Sequence, residues 1–489
     1  MNNIKNKTIS GLAWKFSERI TAQLVTFVVS AVLARVLSPA DYGVIAIVNV
    51  FIAIANVFVD SGFGNSLIQK KNADNVDFSS VFYFNIVMSL AVYFVLYLIA
   101  PYISSFYNKE ILTPVLRVLG FRLVIAGINS VQHAYVSKKM IFKRFFWSTL
   151  FGTVLSAAVG IVMAYNGFGV WSLVGQYMTN TTVDTIVLWF TVRWRPSLAF
   201  SFKKLKGLFS YGWKILVTSL IDTTFFKLRQ LLIGKMYTSE DLAFYSKGDH
   251  FPSLVVTNVN SSIRAVLFPA MSNSQDKKEA VKAMARRSIR TSSYIMFPMM
   301  MGLAVLAEPI VKIILTDKWL PCVPFLQICC CVYAFMPLDT ANLQAIKAMG
   351  RSDIILKLQI IKKTISVIIL LISIRYGVLA VALSNIFTCF ITSFTNAFPN
   401  KKLLKYSYLE QIKDITPSVL ISVCMGIVVY ISSKLFAGLM PILPAMIIEI
   451  IIGVLVYFIL SEIFKIDSYV YIKETAKEYI NNKKGDNVC

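Results

Sequence analysis

The sequence holds only two histidines, His133 and His250, and they lie on different apolar segments. Its seven cysteines show no metal-ligand spacing with either one. Cys329, Cys330 and Cys331 sit together in an apolar run, so they read as small buried hydrophobes. Neither a metal centre nor a disulfide framework is indicated. No nucleotide-binding loop and no nucleophile elbow is present, and no cofactor is expected. Charge is scarce as well: Asp, Glu, Lys and Arg make up 15% of the chain, against about a quarter in a soluble domain. Acid is scarcer than base, 25 residues against 49, leaving a net charge of +24. Polar stretches are short, the longest being 192–208, 272–290 and the tail from Lys465. None is large enough for a folded domain, which argues against a glycosyltransferase or polymerase with an external catalytic domain.

What is present is hydrophobic sequence. Apolar residues make up 56% of the chain. Apolar runs recur at about 20 residues, the length of a helix that crosses a bilayer. The fold class is therefore all-α and polytopic, with about fourteen transmembrane helices. Six spans are read near 11–37, 43–68, 79–104, 111–136, 146–166 and 168–191. Six more lie near 209–236, 242–268, 291–315, 322–347, 354–374 and 377–398, with a last pair near 415–437 and 441–464. Polar breaks in 111–136 and 322–347 leave twelve as the other count. Lys5 and Lys7 precede the first run, but Lys15, Glu18 and Arg19 interrupt it, so it reads as an uncleaved helix and not a signal peptide.

Lys and Arg cluster in alternate loops, for example Lys138, Lys139, Lys143 and Arg144. The intervening loops, such as Ser38-Pro39-Ala40-Asp41, are short and nearly uncharged. This asymmetry predicts that both termini are cytoplasmic, and it explains the basic balance without a nucleic-acid partner. The stretch 272–290 reads as a basic amphipathic helix on the anionic cytoplasmic leaflet or as a plain solvated loop.

A weak internal repeat relates ARVLSPADYGVI at 34–45 to GKMYTSEDLAFY at 234–245. In each copy a hydroxyl and an acid three residues on, Ser38 with Asp41 and Thr238 with Asp241, are set to cap the next helix. Two pseudo-symmetric six-helix lobes are expected, 1–191 and 209–399, joined by a basic cytoplasmic connector at 192–208. A C-terminal helix pair at 400–464 and a cytoplasmic tail at 465–489 would follow.

The first two helices of each half carry polar faces. On the first span Lys15, Arg19, Gln23, Thr26 and Ser30 fall on one face at 100° per residue. Asn49, Asn56 and Asp60 do so on the second, and Thr218, Asp222 and Arg229 on the seventh. His250, Thr257, Ser261 and Arg264 do so on the eighth. Charges in hydrocarbon are costly unless they face water or protein, so four such faces imply a hydrated, net-cationic cavity. Candidate substrate-binding residues are Lys15, Arg19, Gln23, Asn56, Arg229 and Arg264. Glu18, Asp60 and Asp222 are candidate charge partners or ion-coupling groups. The competing assignment is that these groups only pair within the bundle, or snorkel where they lie near helix ends. The fourth span bears a similar row, Arg122, Asn129 and His133, while Asp184, Glu308, Asp339 and Glu449 stand isolated in their spans.

The stretch Ala34 to Gly43, ARVLSPADYG, resembles the signature turn of bacterial polysaccharide transporters. Asp60 to Gln69, Gly167 to Leu173 and Phe209 to Gly212 fit the same pattern in order and spacing. The family is the Wzx-type flippases of the multidrug/oligosaccharidyl-lipid/polysaccharide exporter superfamily. The resemblance covers the first 270 residues by motif and the remainder by hydropathy. It implies a flippase that moves undecaprenyl-pyrophosphate-linked oligosaccharide repeat units across the bacterial cytoplasmic (inner) membrane by alternating access, for O-antigen, capsule or exopolysaccharide synthesis. It implies the lipid-linked oligosaccharide and membrane lipids as partners, with the polymerase and glycosyltransferases of the same pathway as possible ones. The alternative is a drug or metabolite cation antiporter of the same superfamily. The basic residues and the extra final pair of spans argue against it.

Overall fold

The computed structural model describes residues 2–60, 63–70 and 73–485. Among them the chain is helical, with no strand. In chain order the helices are α1 (Asn2–Val36), α2 (Pro39–Asp60), α3 (Phe63–Gln69), α4 (Asn75–Tyr107), α5 (Leu112–Gly120) and α6 (Arg122–Lys139). They continue with α7 (Lys143–Tyr165), α8 (Val170–Thr191), α9 (Phe202–Met236), α10 (Ser239–Ser272), α11 (Lys278–Val305) and α12 (Ala307–Ile314). The last are α13 (Val323–Ala334), α14 (Met336–Ala348), α15 (Ser352–Ser373), α16 (Val378–Leu404), α17 (Tyr408–Phe436), α18 (Ile442–Ile463) and α19 (Asp467–Gly485).

Ten helical stretches among the described residues are long and apolar enough to cross a membrane. The pair α11–α12, bent by 65°, makes an eleventh if it is one span. The expected count of fourteen is not reached on this criterion. Three of the expected spans correspond to α8, α9 and α15, which are long enough but diluted by polar residues. On α9 these include Asp222, Lys227 and Arg229. The polar breaks expected in 111–136 and 322–347 are real: the helix is interrupted at Phe121 and again at Phe335. Each broken stretch still qualifies as one span.

The contacts divide the chain into two compact units, residues 1–243 and 244–489. The division falls one helix beyond the connector, because α9 packs on α2 and α4. Tyr107 on α4 donates to the Leu231 carbonyl on α9 at 3.2 Å. The Lys235 ammonium donates to the Phe106 carbonyl and lies 4.3 Å from the Phe106 ring centroid.

In the first unit α7 pairs with α8, α1 lies on α7, and α4 packs against α5 and α6. Water does not drive helices together in lipid, so small residues that allow close approach matter more. Gly127 on α6 is one: a Cβ there would stand 2.5 Å from Ser89 Oγ on α4. Gly43 on α2 is tighter still, since a Cβ would collide with the Ser239 backbone.

The repeat is expressed as matching caps. Asp41 Oδ2 accepts from the Ser38 amide at 3.1 Å and hydroxyl at 2.7 Å. Asp241 Oδ2 accepts from the Thr238 amide and hydroxyl at the same two distances. Each hydroxyl in turn accepts from the amide of its acid, at 3.2 Å and 3.1 Å. Orphan donors at both helix starts are thereby satisfied.

The connector is docked on the start of α4. Trp194 is buried among Phe78, Phe82 and Tyr135, and its indole donates to Asn75 Oδ1 at 2.7 Å. The Ser197 and Ser201 amides donate to the hydroxyls of Ser79 and Ser80 at 3.0 Å and 2.9 Å. Asp74 caps α4 in a reciprocal pair with Asp77 and pairs with Lys204. The Lys204 ammonium, helped by the Asp77 amide, holds the Asp74 carboxyl down at about 2. A depressed carboxyl stabilises the fold above its unfolded value, about 3.9, and that contribution is lost as pH falls through the folded value. Pepsin cleavage within 192–208, normalised to an unfolded control, should therefore rise as pH falls from about 4 to about 2. Lys204→Ala should be cut readily at the upper end already. Identical cleavage of the two proteins across the window would remove this ion pair as a clasp.

In the second unit α17 and α18 are not peripheral. α17 packs along α11 and α18 packs along α17. Tyr294 donates to Ser461 Oγ at 2.8 Å, and Tyr457 donates to the Tyr294 carbonyl at 2.7 Å. A buried amide network adds Asn342, Asn400 and Gln411, with bonds of 2.7 Å from Asn342 to Gln411 and from Asn400 to Asn342. The basic stretch read as a separate surface helix or loop at 272–290 is instead the start of α11. The chain turns at 273–277, and nothing between Lys278 and Phe297 breaks the helix. Cys329 and Cys330 are buried as expected, whereas Cys331 is exposed.

Candidate polar site within the membrane spans

Helix periodicity brings Arg122, Asn129 and His133 to one face of α6. On α8, Tyr177, Asn180, Thr181 and Asp184 recur at steps of three and four in the same way. The two helices pack together. Arg122, Asn129 and His133 with Asn180, Thr181 and Asp184, joined by Asp60 at the end of α2 and Gly64 on α3, line a cavity of about 530 Å³ inside the first unit.

The groups of this cavity are interlocked. Asn129 Nδ2 donates to Asp184 Oδ2 at 2.8 Å. His133 Nε2 lies 3.3 Å from that same oxygen and 3.2 Å from Asn129 Nδ2. A protonated Nε2 donates to Asp184, and an unprotonated one accepts from Asn129, so the imidazole has a partner in either state. The ring stacks on Phe145 at 4.8 Å. Arg122 Nε donates to Thr181 Oγ1 at 2.5 Å, and its guanidinium lies 5.5 Å from the Tyr177 ring centroid. The lining thus carries one guanidinium, two carboxyl groups and one imidazole. Such a site can take up a small cation or a proton, or exchange hydrogen bonds with a polar cargo.

The residues singled out from sequence fall in several places. Asp60 lines this cavity. Glu18 is half-buried and accepts from Thr149 Oγ1 on α7 at 3.3 Å. Lys15 lies on α1 with its side chain outside the described residues. Arg19 is exposed, and Gln23 and Asn56 are half-buried. On α9 Asp222 is exposed and Arg229 half-buried. Arg19, Asp222 and Arg229 are each engaged by neighbours. Arg264 is exposed on α10, in the second unit.

Three acids expected to stand alone do not. Asp184 is the anchor of the cavity just described. Glu308 accepts from Lys312 at 2.7 Å, one turn along α12. Asp339 accepts from Ser393 at 3.0 Å and Asn396 at 3.3 Å, and Lys362 donates to the same Asn396 at 2.8 Å. The signal for Asp184 was the polar row on its own helix, which the isolated reading passed over.

A model of a family described as polysaccharide biosynthesis protein matches residues 32–324. The chain is 23% identical to the lipopolysaccharide biosynthesis protein WzxC of Escherichia coli, over 87% of its own length and 89% of that protein's. It is 22% identical to the teichuronic acid biosynthesis protein TuaB of Bacillus subtilis, over 72% of its length and 74% of that protein's. Among solved structures it matches the lipid II flippase MurJ in an inward closed conformation, with a TM-score of 0.73 and 17% identity. That match covers 94% of this chain and 99% of the other. With more than half of its length matched by the family model, the chain belongs to the polysaccharide biosynthesis protein family, as a multi-pass helical membrane protein with the MurJ fold.

Proposed function

We propose that the protein is a flippase, carrying an undecaprenyl-pyrophosphate-linked oligosaccharide from the inner to the outer leaflet of the bacterial cytoplasmic membrane. The cargo feeds synthesis of a surface polysaccharide. One observation carries this reading: the family match runs over helices that bear charge within their spans, including Asp60, Arg122, Asp184 and Arg229. A diphosphate and its sugars do not cross hydrocarbon unaided, because burying them there is prohibitive. Lys15, Arg19 and Arg229, all in the first unit, supply charge-assisted donors for the diphosphate. Gln23 and Asn56 supply hydrogen bonds for sugar hydroxyls. Glu18 and Asp222 hold the cationic groups in place between cycles. Asp60, His133 and Asp184 form the coupling site, where uptake of a proton or small cation biases the access equilibrium. The alternation of basic and uncharged loops supports cytoplasmic termini and a cytoplasmic connector at 192–208.

Arg19→Ala and Arg229→Ala test the cationic groups. Each should lower surface polysaccharide about tenfold or more at unchanged membrane abundance, since one hydrogen bond to a charged group is worth about 1.5–3 kcal/mol. Lipid-linked precursor should accumulate on the inner leaflet. Normal export in both variants would strike the two arginines from the mechanism. The pair of carboxylates in the α6–α8 cavity favours a second reading, extrusion of organic cations. That reading requires drug accumulation to rise in a deletion strain whose surface polysaccharide is intact.

A further inference from the structure

The second unit contains a basic cleft that the transport reading does not use. It lies between the second to fourth turns of α11 and the first turn of α19, has a volume of about 250 Å³, and is lined by Ala283, Arg286, Arg287, Arg290, Asp467 and Tyr471 among others. Two of its arginines are committed. Arg286 forms a bidentate pair with Asp414, Nε to Oδ2 at 2.7 Å and Nη2 to Oδ1 at 2.8 Å. Arg290 reaches the same carboxylate at 2.5 Å and 3.0 Å, and its Nη1 reaches Asp467 at 2.7 Å. Arg287 differs. Its guanidinium rests 4.8 Å from the Tyr471 ring centroid, and among the described residues no carboxylate pairs with it. A planar fork of donors is thus held on an aromatic platform, beside two further guanidinium groups, without an anion.

We propose that this cleft binds the phosphate of an anionic phospholipid headgroup, with Arg287 as its principal donor. The depth fits. Ile295 and Met299, exposed apolar residues of the same helix, begin eight residues after Arg287. At 1.5 Å per residue that is about 12 Å, the distance from the interfacial zone into hydrocarbon. The surroundings favour a lipid over free phosphate. Exposed Ile463 and Phe464 lead into α19, and Val470 and Tyr471 on α19 are exposed as well. An acyl chain therefore has an apolar surface beside the phosphate position. The neighbouring Lys277, Lys278 and Lys282 add the diffuse attraction that gathers anionic lipid.

The site rests on the reading that this end of α11 faces the anionic leaflet, but binding is measured without transport. The full-length protein in neutral detergent is titrated with phosphatidylglycerol, phosphatidylcholine or inorganic phosphate, and thermal unfolding is followed. Phosphatidylglycerol should raise the midpoint and phosphatidylcholine should not. Arg287→Ala should weaken the phosphatidylglycerol response about tenfold, and Tyr471→Leu should weaken it in the same direction. Lys277→Ala, outside the cleft, removes only part of the diffuse attraction and should weaken the response far less than Arg287→Ala does. Equal weakening by Arg287→Ala and Lys277→Ala would reduce the effect to diffuse charge and overturn the site. A full response to inorganic phosphate alone would overturn the lipid assignment. Loss of export with an intact lipid response, or the reverse, separates this site from the flippase reading.

Discussion

Asp414→Ala should be the most damaging single substitution in the second unit, lowering unfolding free energy by about 3 kcal/mol. The carboxylate is 2% exposed and accepts from Arg286, Arg290 and the Tyr406 hydroxyl, the last at 2.7 Å. It thereby ties α11 to α17, with Tyr406 at the junction leading into α17. Removing it leaves two guanidinium groups facing each other with no anion between them. Such losses run to about 3–5 kcal/mol, and the lower end applies because the Arg286 side chain is half-exposed and regains water. Asp414→Asn keeps the volume and the Tyr406 bond but not the charge, so its loss should be intermediate. Thermal unfolding in detergent measures both. A cost for Asp414→Ala below about 1 kcal/mol would mean that solvent already screens the cluster.

Asp184 is expected to separate folding from transport. Asp184→Asn keeps an oxygen for the Asn129 amide and should fold at near wild-type stability. It cannot carry the negative charge that makes the cavity attractive to a proton or cation, so export should fall to the level of a deletion strain. Asp184→Ala should fail in both respects. It strands the Asn129 donor, at a cost of about 1–3 kcal/mol for a buried group left unpaired. Wild-type export by a folded Asp184→Asn protein would eliminate the coupling role.

Local features were the legible ones. The Ser38–Asp41 and Thr238–Asp241 caps close over three residues, so spacing alone specified them. Apolar length likewise specified most spans. It also specified α9, read near 209–236, although Asp222, Lys227 and Arg229 dilute that helix; what length left open is the packing that holds it in the first unit. Contacts made across large sequence separations were hidden. Asp184 meets Asn129 and His133 from 55 and 51 residues away, and Asp414 meets Arg286 from 128 away. In neither case does the neighbouring sequence name the partner, and only packing reveals it. The connector showed its charge but not its docking, since Trp194, Ser197 and Ser201 acquire meaning only beside α4.

Among the described residues, α7 is the one extensive neighbour of α1. Trp14 meets Phe146 at 5.4 Å between ring centroids and Glu18 meets Thr149, while Arg19, Ile20, Leu24 and Val28 are exposed and Val29, Leu33 and Ala34 further along are buried. A helix fastened along one seam behaves like a leaf on a hinge. Its exposed middle can shift while the bundle behind it keeps its packing, and it is the first element a harsh detergent will peel away.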